Sequence, residues 1–382
     1  MTRDIPLWNR SIKYCAIIST EISSRNGLCD QGRYMFEELA KMGHEQVIFC
    51  QDASADYRSI IAIHSTALGP AAGGTRFWNY ATEDEALIDA LRLSRGMSYK
   101  CAMAGLPLGG GKSVIIGDNR REDREALFRA HGRFIDRLSG CYIAGEDVGT
   151  SPRDMDYISM ETRHVAGTTN KSGDPSPNTA RGVFRAIQAS ARERWGTDDL
   201  SDRTVAVQGC GNVGYNLVRE LHRTGAKILV ADVDNSRAFR AADEFFARAV
   251  DTETIYQVEA DIFAPCALGG VINDQTIPDF KFEIIAGAAN NQLLEERHGD
   301  QLKERGILYA PDYVANAGGV IGGCVDVQGW SGEQVQEKIE AIYDTMLRVF
   351  DMAKAENIST GRAANLIAEE RMKKGGQEKA AR

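Results

Sequence analysis

The chain alternates between segments with helical and strand-like spacing of apolar residues, which is typical of an α/β protein. Thr82 precedes three acidic residues and an apolar stripe. This order predicts a helix start, because the hydroxyl caps free amides and the acids complement the helix dipole. The predicted elements of the first half are helices over 34–42 and 82–97, and strands over 47–50, 60–64 and 113–117.

The second half has a clearer alternation of strands and helices. Polar residues with glycine and proline over 168–178 predict a linker. The predicted elements beyond it are a helix over 179–195, a strand over 204–208, a helix reaching about Leu221, a strand over 226–231, and helices over 333–355 and 360–372, followed by a frayed polar tail over 373–382.

Composition narrows the classes of partner. The chain has 382 residues, enough for two or three domains, and its net charge of −9 argues against a nucleic acid or an anionic membrane surface as partner. The eight cysteines are scattered without Cys-x-x-Cys spacing, so we expect reduced thiols and no metal site. No apolar run approaches the roughly 20 residues of a membrane span, and the amino terminus lacks the apolar stretch of a signal peptide. We therefore expect a cytoplasmic protein.

A dinucleotide-binding motif follows the strand at 204–208. Gly209, Gly211 and Gly214 have the Gly-x-Gly-x-x-Gly spacing that permits a tight turn, brings the backbone close to a pyrophosphate and lets a helix pack on the strand. Asp232 ends the next predicted strand, where a carboxylate accepts hydrogen bonds from the adenosine ribose and disfavours a 2′-phosphate. The motif predicts NAD as cofactor, held by Gly209, Gly211, Asn212, Val213, Gly214 and Asp232.

Two lysines, Lys100 and Lys112, belong to one glycine-rich stretch. Lys112 directly follows three glycines, which predicts a loop where a ligand can approach the backbone. A phosphate-binding P-loop is excluded, because its first glycine would have to replace Leu106 and because Pro107 has no N–H group. Asp147 lies between an apolar strand and a glycine. Together with an NAD site, two lysines and an acid suggest oxidation of a C–N bond.

Seven stretches carry a wider pattern: 69–76, 98–112, 145–150, 205–214, 264–270, 286–291 and 309–319. In this order they resemble the glutamate/leucine/phenylalanine/valine dehydrogenase family, from about residue 36 to about residue 372. The resemblance implies an α/β fold of two domains with a cleft between them. A mixed α/β substrate and oligomerisation domain would cover 1–165 plus 346–382, and a Rossmann NAD-binding domain 166–345. It also implies a homo-oligomer.

The resemblance implies roles for individual residues. Lys100 matches the lysine that binds the substrate α-carboxylate, Lys112 the general base that activates water, and Asp147 the acid that serves the amino group. Hydride leaves the α-carbon for the nicotinamide, and water attacks the resulting iminium to give a 2-oxo acid and ammonia. Further matches are Gly74 at the substrate, Thr179 and Ala267 at the cofactor, and Asn290 and Asn291 between the two, with the closer asparagine left open.

The side-chain pocket distinguishes members of that family. Glutamate dehydrogenases of the family have a lysine where this chain has Ala72, so glutamate is disfavoured: its γ-carboxylate would be buried without a cation. Ala72 and Gly145 are small at positions that shape the pocket, and Val314 and Ala315 match its far side. A roomy pocket predicts an aromatic substrate such as phenylalanine, with leucine or valine as the alternative if other residues fill the space. A homologue that binds NAD without turnover is a further alternative, although the matching lysine and acid are both present.

Overall fold

The computed structural model describes residues 31–170 and 173–381, so the first 30 residues lie outside it. The described chain forms two β-sheets flanked by helices. The strands are β1 (Gln46–Asp52), β2 (Tyr57–Ser65), β3 (Ala71–Trp78), β4 (Gly109–Ile116), β5 (Tyr142–Glu146), β6 (Thr204–Gln208), β7 (Lys227–Ala231), β8 (Arg248–Ala249), β9 (Ile262–Pro265), β10 (Ile284–Ile285) and β11 (Leu308–Tyr309).

Helices cover the sheets and join them. They are α1 (Gln31–Met42), α2 (Glu83–Met103), α3 (Glu125–Asp136), α4 (Pro152–Ser159), α5 (Ser176–Trp195), α6 (Asn212–His222), α7 (Asn235–Phe245), α8 (Arg297–Glu304), α9 (Asp312–Ala315), α10 (Gly318–Gly322), α11 (Cys324–Gln328), α12 (Gly332–Glu340), α13 (Ile342–Ala355) and α14 (Thr360–Ala380).

The first sheet is mixed and has the strand order β1-β2-β4-β3-β5. β2 pairs antiparallel with β1 and β4, whereas β3 pairs parallel with β4 and β5. On one face, Ile60 and Val114 pack against Leu91 of α2. On the other face, Phe77 meets Phe128 of α3 edge to face, with ring centroids 5.8 Å apart. The sheet therefore has an apolar layer on each side.

The glycine-rich stretch is a strand and not the loop that its composition predicts. Residues 109–111 belong to β4, which is hydrogen-bonded on both sides. A Cβ at Gly110 would lie 2.0 Å from the backbone nitrogen of Ser98, and one at Gly111 would lie 2.7 Å from the ring of Tyr142. Real Cβ contacts are never this short. The glycines let α2 and the aromatic ring approach β4, and they hold the following lysine inside a strand.

Several helix boundaries differ from the predictions. α2 continues to Met103 instead of ending near residue 97, because the first left-handed residue after it is Gly105, with φ of 64°. The predicted helix over 333–355 is two helices, α12 and α13, which meet at Ala341. The tail predicted to fray is helical to Ala380, and it lies against the loop after β2, where Lys379 Nζ donates to Thr66 O at 3.3 Å.

The second sheet is parallel throughout, with the order β11-β10-β9-β6-β7-β8. α5 and α6 pack on it and on each other, with Val205, Leu217 and Ile187 in one apolar cluster. The observed β6 has the predicted bounds, and α6 begins within the glycine motif. The prediction of an α/β fold with a Rossmann-like domain is confirmed.

The carboxy-terminal helices contact both halves of the molecule. α13 packs against α5, and α14 packs against α13 and α2. The Tyr99 hydroxyl of α2 donates to Glu369 at 2.6 Å, and the Tyr313 hydroxyl donates to Asn365 at 2.8 Å. The division of the chain at residues 165 and 346 stays a prediction. Across the described ranges, no helix combines the length and apolar character needed to cross a membrane.

Candidate active site

A buried ion pair joins two residues that the sequence places in different motifs. Lys112 lies within β4, and Asp147 follows the end of β5. Lys112 Nζ is 3.0 Å from Asp147 Oδ2, and Lys112 is only 4% exposed. β3 separates the two strands, and its Gly74 permits the approach: a Cβ there would lie 2.8 Å from the Asp147 Cβ and 2.6 Å from the Glu146 carbonyl oxygen.

Arg76 is a member of this cluster that the sequence analysis did not single out. Its Nε donates to the same Asp147 oxygen at 2.8 Å, and its Nη1 donates to Asp89 of α2 at 2.7 Å. The Tyr80 hydroxyl also donates to Asp89, at 2.6 Å. Arg76 ends the stretch 69–76, one of the seven that carry the family resemblance, but nothing in that stretch alone indicates which carboxylate the arginine contacts.

The pair has shifted proton affinities. Burial lowers the pKa of Lys112 below its ordinary value of 10.5; Asp147 opposes this shift and Arg76 adds to it. Burial raises the pKa of Asp147, but the charges of Lys112 and Arg76 outweigh burial and hold that pKa below its usual value. A carboxylate fixed between two cations stays ionised, whereas the lysine is brought closer to deprotonation.

Lys100 lies on the last turn of α2 and contacts the loop after β10. Its Nζ donates to Asn290 Oδ1 at 3.3 Å, and Asn316 Nδ2 donates to the same oxygen at 2.8 Å. Burial lowers the pKa of Lys100, and Asp312 partly offsets this. Of the two adjacent asparagines, it is therefore Asn290 that contacts the lysine. Asn316 was not predicted, although it lies in the stretch 309–319.

Asn291 has a different environment. Its backbone is left-handed, with φ of 53°, and its carbonyl oxygen accepts a hydrogen bond from the Gly270 amide at 2.7 Å. This conformation joins the loop after β10 to the loop after β9, and the latter contacts the glycine motif through Ala267. Asn291 is thereby placed by the backbone and not by a contact with Lys100.

The residues predicted to shape the side-chain pocket are apolar and buried. Ala72, Val314 and Ala315 are at most 8% exposed and belong to one apolar cluster, which also joins α2 to α5. Gly145 differs from Gly74, because no atom lies within 4 Å of a Cβ built at Gly145. Space therefore exists beside β5 at Gly145, but not beside β3 at Gly74.

The glycine motif has the geometry that a dinucleotide requires. Gly209 has φ of 96°, a left-handed value that favours glycine, and a Cβ at Gly214 would lie 1.8 Å from the Gly209 carbonyl oxygen. Gly211, by contrast, has open space where a Cβ would be, and α6 begins at the next residue, so its first amides have no partner within the helix. The loop thus leaves room and N–H groups for a pyrophosphate.

Asp232 is positioned by two backbone amides at the end of β7. It accepts hydrogen bonds from Cys210 N at 2.7 Å and from Asp234 N at 2.8 Å. Each carboxylate oxygen has a second lone pair, so the side chain can still accept from hydroxyl groups. The glycine motif and this carboxylate fit a nicotinamide dinucleotide.

Three further residues were predicted at the cofactor. Ala267 follows β9 and packs against the glycine motif: a Cβ built at Gly209 would lie 2.8 Å from the Ala267 Cβ. Val213 lies in the first turn of α6. The Thr179 hydroxyl of α5 donates at 3.0 Å to the carbonyl oxygen of Pro175, which directly precedes that helix, and a Cβ at Gly319 of α10 would lie 2.8 Å from the Thr179 hydroxyl oxygen.

Two family models match the chain. One, described as the Glu/Leu/Phe/Val dehydrogenase dimerisation domain, matches residues 44–164, and the other, described as glutamate/leucine/phenylalanine/valine dehydrogenase, matches residues 173–237 and 230–379.

Individual relatives match over most of their length. Leucine dehydrogenase from Geobacillus stearothermophilus is 56% identical over 341 residues, which are 88% of this chain and 93% of the relative. Phenylalanine dehydrogenase from Thermoactinomyces intermedius is 47% identical over 347 residues, 90% of this chain and 95% of the relative.

A solved structure shows the same fold. The crystal structure of L-tryptophan dehydrogenase from Nostoc punctiforme has a TM-score of 0.82 and 47% identity, and the match covers 90% of this chain and 99% of that one. The resemblance drawn from the sequence motifs is confirmed. The chain belongs to the glutamate/leucine/phenylalanine/valine dehydrogenase family, oxidoreductases that act on CH–NH2 groups and generally use a nicotinamide cofactor.

Proposed function

We propose that the protein catalyses the reversible, NAD-dependent oxidative deamination of an apolar L-amino acid to a 2-oxo acid and ammonia. The observation that carries this proposal is the buried pair of Lys112 and Asp147, whose charged atoms are 3.0 Å apart. Lys112 belongs to the same sequence motif as Lys100. A cation with a lowered pKa beside a fixed carboxylate is suited to moving protons at an amino-bearing carbon.

Each charged side chain has a distinct task in this proposal. Lys100 holds the substrate α-carboxylate as a point charge. Lys112, once deprotonated, removes a proton from the water that attacks the iminium carbon. Asp147 accepts a proton from the substrate ammonium group before hydride leaves the α-carbon, and it returns this proton to the same nitrogen as ammonia leaves. Arg76 holds the Asp147 carboxylate at 2.8 Å in the orientation for this exchange.

The cofactor supplies the hydride acceptor when it is bound. Gly209, Gly211 and Gly214, with the first amides of α6, would hold its pyrophosphate. Asp232 would hold the adenosine ribose, and its charge favours NAD over NADP because a 2′-phosphate would meet a carboxylate at this position. Asn212, Val213, Thr179, Ala267 and Asn290 are proposed to complete the cofactor site.

Leucine is the substrate we favour. The aromatic preference expected from small pocket residues is not confirmed, and the leucine dehydrogenase named above is more similar to this chain, at 56% identity, than the phenylalanine dehydrogenase, at 47%. Ala72 leaves a glutamate side chain without a cation, and the apolar cluster around Ala72, Val314 and Ala315 suits an aliphatic one. The open space at Gly145 is the one feature that favours an aromatic ring as second candidate.

A substrate comparison is the direct test. We expect kcat/KM for L-leucine to exceed that for L-phenylalanine and L-tryptophan by at least about tenfold, because ill-fitting groups cost about 1–3 kcal/mol in an apolar pocket. L-Glutamate should be poorer still. The measurement is initial NADH formation with each amino acid, repeated with NADP in place of NAD. A preference for L-phenylalanine would establish the second candidate, and no turnover with any apolar amino acid would contradict the proposed function.

The pH dependence of kcat/KM tests the role of Lys112. Oxidation is expected to rise with pH as Lys112 loses its proton, with a limb below 10.5 because burial and Arg76 lower its pKa. Arg76→Gln removes the positive charge that lowers the Lys112 pKa. It also leaves Asp147 with Lys112 as its only cationic partner, and both consequences raise the Lys112 pKa. The limb should move to higher pH. Arg76→Lys keeps the charge and should leave the limb in place; a downward shift in Arg76→Gln would contradict the assignment.

We also propose that the protein is a homo-oligomer. The family model that matches residues 44–164 is described as a dimerisation domain, which supports this proposal. β1 is an edge strand of the first sheet, and its Phe49 is 54% exposed. Edge strands have unpaired backbone groups that another chain can complete. The described surface therefore offers a place where a second copy could join the sheet.

A further inference from the structure

Three cations outside the candidate active site converge on a cavity that shares one residue, Val314, with the predicted side-chain pocket. The cavity has a volume of about 160 Å³ and lies where the end of α2 meets α9, α12, α13 and α14. Its apolar wall includes Met103, Val314 and Ile342, and its charged lining consists of Lys338, Arg348 and Arg371. Over 31–170 and 173–381, no carboxylate lines this cavity or forms an ion pair with any of the three.

The described contacts occupy only part of the donor capacity of these cations. Arg371 Nη1 donates to the carbonyl oxygens of Ala102 and Met103, at 2.7 and 3.0 Å, and so closes the carboxyl end of α2. Arg348 Nη2 donates to the Thr345 hydroxyl at 3.1 Å. Each guanidinium has five N–H groups, so several donors on each side chain are left for another acceptor.

The charges also lack compensation. Burial lowers the pKa of Arg371, and the nearby charge of Arg348 lowers it further. Arg371 and Lys338 are partly buried and Arg348 is exposed, so solvent screens part of the repulsion among these charges, and an anion between them would relieve the remainder. A water molecule takes up about 30 Å³ in the liquid, so the cavity has room for a solvated anion of several heavy atoms.

We propose that this cavity binds a small oxyanion, such as phosphate or a small carboxylate, through Lys338, Arg348 and Arg371. Guanidinium groups present paired N–H donors that match two oxygens of one anion, and lysine adds a point charge. The anion would link the carboxyl end of α2, which carries Lys100, to α12 and α13. This proposal is independent of the reaction catalysed at the candidate active site.

The test is calorimetric titration of the full-length protein with inorganic phosphate at low ionic strength, and separately with acetate. NADH is present at saturation, because the glycine motif also attracts phosphate. The variants are Lys338→Gln and Arg348→Gln, which leave the α2 cap by Arg371 intact. Lys354→Gln is the matched control: it removes one positive charge from the same helix as Arg348, but Lys354 pairs with Glu193, 2.5 Å away.

We expect saturable binding of about one anion per chain, and at least about tenfold weaker affinity in each cavity variant. Binding of phosphate alone identifies a tetrahedral oxyanion, and binding of acetate as well identifies a site that accepts carboxylates; either supports the proposal. Thermal unfolding with and without phosphate is a second readout, in which the increase in Tm should shrink in the cavity variants but not in the control. Equal affinities in all four proteins, or no saturable binding, would overturn the proposal.

Discussion

The Lys112→Ala variant is expected to lose nearly all turnover while it still binds NADH. Without the lysine, no base in the described cluster can take a proton from water, because Asp147 is held below its ordinary pKa and is a weak base. Removal of a general base typically costs about 10²–10⁴-fold in rate, and we expect a decrease in kcat within or beyond this range. Initial-rate kinetics with L-leucine and NAD measure it.

Stability is expected to change less than activity. Burial lowers the pKa of Lys112, so its protonated form costs folding free energy at neutral pH, and this cost disappears in the variant. Asp147 keeps its ion pair with Arg76. NADH binding, followed by fluorescence, should be close to normal because Lys112 lies in the first sheet and the glycine motif follows a strand of the second. Lys354→Ala, at an exposed lysine, is the control, and a kcat near the wild-type value in Lys112→Ala would refute the assigned role.

The dinucleotide half of the site could be predicted because its signals are local. Gly209, Gly211 and Gly214 lie within six residues of one another. Gly209 has a left-handed φ, and Gly214 makes a close contact with the Gly209 carbonyl oxygen that only glycine permits. Asp232 is one strand further along the chain. The βαβ unit fixes the relative positions of all these residues, so the structure has the strand, turn and helix that their spacing predicts, while their contacts with a cofactor stay a prediction.

The substrate half depends on contacts between distant segments. Composition predicted a loop at 109–111, but the structure has a strand, because the reason for these glycines is the close approach of α2 and of Tyr142 from β5. Arg76 and Asn316 were missed for the same reason: their partners are Asp147 and Asn290, which lie far away in sequence. Only the assembled sheet order brings such residues together.

The expected substrate illustrates a further limit. Small residues at Ala72 and Gly145 predicted a large side chain, but a residue's size does not measure the space around it. Gly74 has no room for a methyl group, whereas Gly145 has. Pocket volume is set by the atoms that surround each position, and these come from α2, β5 and α9 together.

The Asp147→Asn variant has the second-largest expected effect. The amide keeps the size of the side chain and can still accept from Arg76, but it cannot transfer a proton to the leaving amino group. We expect kcat to fall by about 10²–10⁴-fold. Since Asp147 raises the pKa of Lys112, its loss lowers that pKa, and the alkaline limb of the residual activity should move to lower pH. A pH series of initial rates measures both effects.

The matched control is Glu146→Gln, which makes the same chemical change at the neighbouring residue. Glu146 is exposed and makes no ion pair among the described residues, so near-normal kcat and an unshifted pH limb are expected. Glu146→Gln removes a carboxylate at the same strand end, whereas Asp147→Asn removes the carboxylate that pairs with Lys112. Comparison of the two variants therefore shows whether the pairing with Lys112 is what matters. If Glu146→Gln were as impaired as Asp147→Asn, or if Asp147→Asn kept kcat within about tenfold of wild type, the proton-transfer role would have to be assigned elsewhere.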